Sequence, residues 1–230
     1  MMDWRDFAVH MASAARGFLA VDGVDSTLDK ATAAAVELVE GCDAAGVLVL
    51  GQGRVTTLAP TSSLVEESDQ LQGQVGEGPC FDVARTKHPV FRIHDLSTET
   101  VRWRSYAPKA HALGIGSMMG FLLYTHGEED LGALNLYSHR PGAFTDDSET
   151  AGWLLATHAA VALSAAREHA FMQRAVDTRH IIGEAMGILM AQHRISEQQA
   201  FEALRRYSQE NNIKLRDVAR HLCEHGTLKG

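Results

Sequence analysis

From Asp146 to about Gln192 the chain runs without a proline and with little that would stop a helix. At 1.5 Å per residue such a helix is roughly 70 Å long. Few helices of globular proteins reach that length, and a dimeric coiled coil is the usual way to bury one. Leu154, Val161, Ala165, Met172, Ala175, Ile182, Met186 and Leu189 follow the alternating spacing of a coiled-coil seam, which Glu168 and Arg179 interrupt. The pattern predicts a parallel homodimer built on this helix, with one domain before it and another after it.

The charge divides along the same line. Residues 1–170 carry a net charge of −10 and residues 171–230 a net of +2, out of −8 for the whole chain. An acidic body with a mildly basic tail points to two functions in one chain. Alone, +2 is also what an ordinary helical tail carries. With 45% hydrophobic residues the chain has material for a substantial core. No run of eighteen apolar residues occurs, so no membrane span is expected. The start, Met1-Met2-Asp3-Trp4-Arg5-Asp6, lacks the basic region and apolar run of a signal peptide. Cys42, Cys80 and Cys223 form no CxxC pair and no zinc spacing, which fits a reducing cytoplasm.

Residues 4–40 read as two helices. Phe7, Met11, Ala14, Ala15 and Phe18 make the stripe of the first. Ser26, with Asp29 three residues on, is expected to cap the second, whose stripe is Leu28, Ala31, Ala35, Leu38 and Val39. Residues 44–141 have strand character. Ala45–Leu50 and Arg54–Leu58 flank a glycine turn, Pro89–Ile93 is a third candidate, and Ser117–Tyr124 pairs with Leu131–Tyr137 across a polar loop. Helices at both ends of antiparallel strands indicate an α+β domain. After the long helix, Ser196 to Gln199 reads as a capping box, and Ala200, Phe201, Leu204 and Tyr207 as a buried face. Asn211-Asn212 makes a turn. Leu215, Val218, Ala219, Leu222 and Cys223 form a last stripe, closed by Gly226.

The polar residues of the tail exceed what periodicity requires. Arg179, Ile182, Ala185, Gly187, Leu189 and Met190, then Ser196-Glu197, Ala200-Phe201, Leu204-Arg205 and Ser208, then Asn212, Lys214-Leu215 and Val218-Ala219 stand in fixed order. Over residues 174–224 this closely resembles the ANTAR family of RNA-binding antiterminators. The front half resembles a GAF sensory domain over roughly residues 24–165. The segments that carry this are Gly76-Glu77-Gly78-Pro79-Cys80, Asp95-Leu96, Arg102-Trp103, Gly114–Ser117 and Gly132–Ser138. Arg104 stands where this branch places a proline after the tryptophan. The resemblance implies a GAF-like domain over 1–165 and an ANTAR-like three-helix bundle over 166–230, joined by the helix at about 146–192.

Each candidate residue has a functional and a structural reading. Arg205, Arg206, Lys214 and Arg216 are cations of the kind that hold phosphates. They also fit a solvated face, with Glu202 and Arg206 paired one turn apart. Gly183 and Gly187 each cost about 1 kcal/mol against alanine inside a helix. Close helix packing or close approach of RNA could offset that. Ile188 and Met190 read as core. Cys80 reads as a redox-sensing or a buried cysteine, and Trp103 and Tyr106 as lining a ligand cavity or as core. No metal set, catalytic arrangement or cofactor motif is legible among the chain's twelve histidines and its carboxylates.

The cysteine pattern, the long helix and the lack of a catalytic set predict a cytoplasmic, non-enzymatic homodimer, and the resemblance implies that it binds paired RNA stem-loops and prevents terminator formation. Its RNA-contacting set would be Arg179, Gly183, Gly187, Arg205, Arg206, Ser208, Asn212, Lys214 and Arg216. The GAF-like part would answer to a small-molecule or protein signal. The alternative is a dimeric signalling scaffold whose helical tail binds a protein partner.

Overall fold

The computed structural model describes residues 2–21, 23–51, 54–79, 82, 89–99, 101–124 and 130–228. It divides into two compact units, Met1–Arg167 and Glu168–Gly230. The first holds helices α1 (Trp4–Leu19), α2 (Val24–Leu38), α3 (Ser63–Val75) and α4 (Ala107–Ala112), and strands β1 (Ala44–Gly51), β2 (Arg54–Leu58), β3 (Val90–Ile93), β4 (Ser117–Tyr124) and β5 (Asp130–Ser138). Helix α5 (Asp146–His193) is shared by the two units, and α6 (Glu197–Glu210) and α7 (Leu215–His225) complete the second.

The five strands form one antiparallel sheet in the order β2-β1-β5-β4-β3. Alternation along the strands sends residues to two cores. Ala45, Val47, Met119, Phe121, Leu123, Leu134 and Leu136 face α1, α2 and the start of α5. The α5 contribution is rich in alanine, with Ala151, Ala156, Ala159 and Ala160 buried there. Small side chains let the helix lie close to its neighbours, and at Gly152 a Cβ would overlap the Phe121 ring. On the opposite face Ala44, Leu48, Met118 and Tyr137 meet α3, α4 and the Trp103–Tyr106 segment.

Two elements differ from the sequence expectation. Helix α2 begins at Val24, with Gly23 as its cap at a φ of 99° and Thr27 Oγ1 donating to the Gly23 carbonyl. Glycine tolerates that backbone conformation without strain, so the helix starts early and Ser26 lies exposed inside its first turn. The stretch from 44 to 141 is also not purely strand: α3 and α4 lie within it. Helix α3 carries no clean apolar stripe because three of its buried residues are Ser68, Asp69 and Gln72.

Those polar residues anchor the second core. The Asp69 carboxylate is fully buried and accepts hydrogen bonds from Thr57 Oγ1 at 2.8 Å and Tyr137 Oη at 3.1 Å. Ser68 Oγ and Tyr106 Oη lie 2.8 Å apart. Burial pushes the Asp69 pKa up to about 6, against the pull of the two hydroxyls. The folded state therefore binds the Asp69 proton more tightly than the unfolded chain does. Its contribution is largest below the ordinary value of 3.8 and is lost as pH rises through about 6. Relative to Asp69→Asn, the wild-type protein is expected to lose up to about 3 kcal/mol of unfolding free energy between pH 4 and pH 7. Denaturant titrations of both proteins across that range check this, and parallel pH profiles would contradict it.

Candidate nucleic-acid interface

The second unit is a three-helix bundle of the end of α5 with α6 and α7. Its core is Ala185 and Leu189 from α5, Ala200 and Leu204 from α6, and Val218, Ala219 and Leu222 from α7. Helix α6 starts on a complete capping box. Ser196 Oγ accepts from the Gln199 backbone at 3.3 Å, and Gln199 Oε1 accepts from the Ser196 backbone at 2.9 Å. At the α6–α7 turn, Asn212 adopts a φ of 52° and Ser208 Oγ donates to the Ile213 carbonyl at 2.5 Å. Gly226 closes α7 in the left-handed conformation, and Gln192 Nε2 donates to its carbonyl at 3.0 Å.

The structure sorts the candidate residues of the tail. Ser208 and Asn212 shape the turn that leads into Lys214, which caps α7 with its backbone. Arg216 is engaged with the neighbouring Asp217 at 3.3 Å. Arg179, Arg205, Arg206 and Lys214 are exposed. Among the described residues the ion pairs of this unit are His180–Glu184, Arg216–Asp217 and Arg220–Asp217. The four exposed cations take part in none of these, and Glu202 and Arg206 do not pair.

Gly183 and Gly187 lie exposed on α5, and a Cβ at either would meet nothing within 4 Å. Packing inside the bundle therefore does not account for them. Two residues read as buried are not. Phe201 is 39% exposed and Met190 37% exposed. Phe201 follows Ala200 directly, so it sits about 100° around the helix from Ala200 and about 60° from Leu204. That offset was available in the sequence, and it is the signal that separates Phe201 from the core. Between α5 and α6 runs a groove of about 580 Å³, walled by Arg179, Gly183 and Met186 on one side and Gln198 and Phe201 on the other. Arg205 lies one turn beyond Phe201 on the same flank of α6.

In the first unit Trp103 and Tyr106 are buried. Trp103 Nε1 donates to the Asp82 carboxylate at 2.7 Å, and the Glu77 carboxylate accepts from the backbone N–H groups of Ser105 and Tyr106. Cys80 lies outside the described residues, as does the 125–129 loop. Burial pushes the Cys42 thiol up to about 12, far from a reactive thiolate. Among the described residues no group of histidine, cysteine and carboxylate side chains is placed to hold a metal ion. No described helix is long and apolar enough to cross a membrane.

A family model of the GAF domain matches residues 22–164, and a model of the ANTAR domain matches residues 170–222. The chain is a GAF and ANTAR domain protein. ANTAR domains are RNA-binding antiterminator domains and GAF domains are sensory, so both halves belong to regulatory classes. The described sheet and helices match the GAF fold seen in solved structures. A bacteriophytochrome from R. palustris is 14% identical with a TM-score of 0.61, over 87% of this chain and 46% of that one. The GAF domain of a phosphoenolpyruvate-protein phosphotransferase from Coxiella burnetii is 16% identical with a TM-score of 0.58, over 74% and 99%. The reduced form of fRMsr from Staphylococcus aureus is 11% identical with a TM-score of 0.52, over 68% and 94%. At these identities the likeness concerns the fold alone. No protein of curated function matches the chain.

The open space at the two ANTAR-domain glycines gives a direct expectation. Gly183→Ala and Gly187→Ala should each stabilise the protein by about 1 kcal/mol, the helix-interior difference between the two residues. Thermal unfolding checks this. A loss of stability in either would show that a contact of these glycines, not open space, sets their identity.

Proposed function

We propose that this GAF and ANTAR domain protein is a cytoplasmic homodimer that binds paired RNA stem-loops and prevents formation of a transcription terminator, under the control of a signal at its GAF domain. The sensory part is residues 1–165 and the RNA-binding part residues 166–230. The observation that carries the reading is the set of four exposed cations, Arg179, Arg205, Arg206 and Lys214, which join no ion pair with a described residue on an ANTAR fold. Such cations hold phosphates, and single-stranded loops offer unstacked bases to read. Gly183 and Gly187 leave α5 open to a close approach, and Ser208 and Asn212 hold the turn that presents Lys214. Arg216 extends the basic edge of α7.

Dimerisation is supported by the exposed positions of the predicted seam. Leu154, Val161 and Ala165 are exposed in the first unit, and Met172 and Ala175 in the second. Two tails on one dimer bind two linked stem-loops with avidity when the spacing fits. The protein signal or small molecule that biases the GAF domain acts through its different affinities for two arrangements of the dimer.

RNAs selected for binding to the purified full-length protein test the reading. Stem-loops are expected to emerge, and their affinity should fall with salt. Arg205→Ala and Lys214→Ala should weaken binding and flatten the salt dependence by roughly 0.7 in logarithmic slope for each lost phosphate contact on a single strand. Helical content should stay unchanged. Failure of any RNA to enrich would favour the protein-binding scaffold. Sedimentation as a monomer at micromolar concentration would remove the dimer.

A further inference from the structure

The groove between α5 and α6 has a composition that a helical core does not need. Its α6 wall carries an aromatic ring with 39% of its residue surface in water. Its α5 wall is bare at Gly183, where nothing lies within 4 Å of a Cβ. Arg179 stands in the wall, Arg205 lies one turn from Phe201, and neither joins an ion pair with a described residue. Gln198 adds an amide that both donates and accepts, and Glu197 a carboxylate that accepts.

We infer that this groove takes an unpaired nucleobase from an RNA loop, with the base stacked on Phe201 and the flanking phosphates held by Arg179 and Arg205. The inference rests on the RNA-binding reading above and names the residue that reads the loop. Aromatic side chains are the usual platforms for splayed-out bases, because every base has a π face. Gln198 and Glu197 face the polar edge of a base, where an exocyclic amine finds an acceptor. The bare α5 wall at Gly183 lets the second face of the base approach the helix.

A second copy of the chain is the competing occupant, since Ile182 and Met186 belong to the predicted seam. Charge decides against it. An apolar partner helix in the groove would offer Arg179 and Arg205 no counter-charge, whereas a polyanion compensates both. The groove's volume of about 580 Å³ falls within the roughly 300–1,000 Å³ of clefts that take small ligands.

The test uses the full-length protein and one hairpin RNA that it selects, beside the same hairpin with its apical loop made abasic. Phe201→Ala is expected to lower affinity for the intact hairpin by about 5- to 150-fold, the equivalent of ~1–3 kcal/mol for one stacked base. The salt slope should not change, which separates this loss from that of Arg205→Ala. Phe201→Tyr should retain near wild-type affinity, and all three proteins should bind the abasic hairpin alike. Phe201→Trp should report hairpin binding by quenched indole emission from the new residue. Intact hairpin binding with an unaffected Phe201→Ala protein would overturn the stacking groove and leave the RNA reading standing. Conversion of Phe201→Ala to a monomer on sedimentation would assign the groove to the second copy and overturn the inference. If no hairpin is bound by the wild-type protein, the RNA reading itself fails.

Discussion

Helix α5 supplies buried residues to two different cores, and both units depend on it. Near its start Ala151, Leu155, Ala156, Ala159, Ala160 and Leu163 pack under the sheet. Near its end Ala185 and Leu189 supply one side of the three-helix bundle. Residues 171–177 between them are all exposed, including Phe171, Met172 and Val176. A helix in water without packing is marginal even at good propensity. This one persists because each end is anchored by burial, and its exposed middle presents apolar side chains for which the monomer has no partner. The bundle adds to the dependence. Seven buried residues form its centre, which is little for an independent domain of its length.

The surface of the bundle holds its costs unbalanced within one chain. Two glycines inside a helix lower its stability, and cations that join no ion pair among the described residues add nothing to it. Natural sequences are locally consistent except where function requires otherwise. Here several of the inconsistencies, Arg179, Gly183 and the exposed Phe201, line one groove between α5 and α6, with Arg205 one turn beyond Phe201. Elsewhere in the same bundle local rules are obeyed closely. Ser196 caps, Asn212 turns, Gly226 terminates and Gln192 satisfies the last carbonyl. The contrast marks that groove as a binding face.

Much of this was legible in the sequence. The capping box at Ser196, the positive φ at Asn212 and the stop at Gly226 follow from residue chemistry that leaves little choice. The long α5 follows from the absence of anything to end it. What was not legible depends on polar residues that tertiary structure buries. Helix α3 hides because Ser68, Asp69 and Gln72 occupy its inner face, where a stripe is sought in apolar letters. Their burial becomes tolerable only once Thr57, Tyr106 and Tyr137 arrive from distant strands and turns. The side chain of Ser26 suits the role of a cap, yet Gly23 starts the helix earlier through backbone freedom. Hydrophobicity alone places Phe201 and Met190 in the core, yet both are exposed. Their angular offset from Ala200, Leu204 and Leu189 carries the better information, and the binding groove is found only by weighing direction above character.

The exposed middle of α5 also bounds how a signal at the GAF domain could reach RNA. Residues 171–177 make no buried contact, so side-chain packing there within one chain has no second arrangement to switch into. A rearrangement of the helix must be read against something that packs on it, and in the proposed dimer that is the partner's helix. A signal then acts only through its different affinity for two ways of packing the pair, which typically amounts to about 1–3 kcal/mol, or 5- to 150-fold in RNA affinity. The interruptions of the seam at Glu168 and Arg179 fall at either side of this exposed stretch. Two packings of similar energy require a seam that is not uniformly apolar, because uninterrupted apolar contacts select one register strongly. The same imperfection that weakens the coiled-coil signal in the sequence is thus what would let the pair respond.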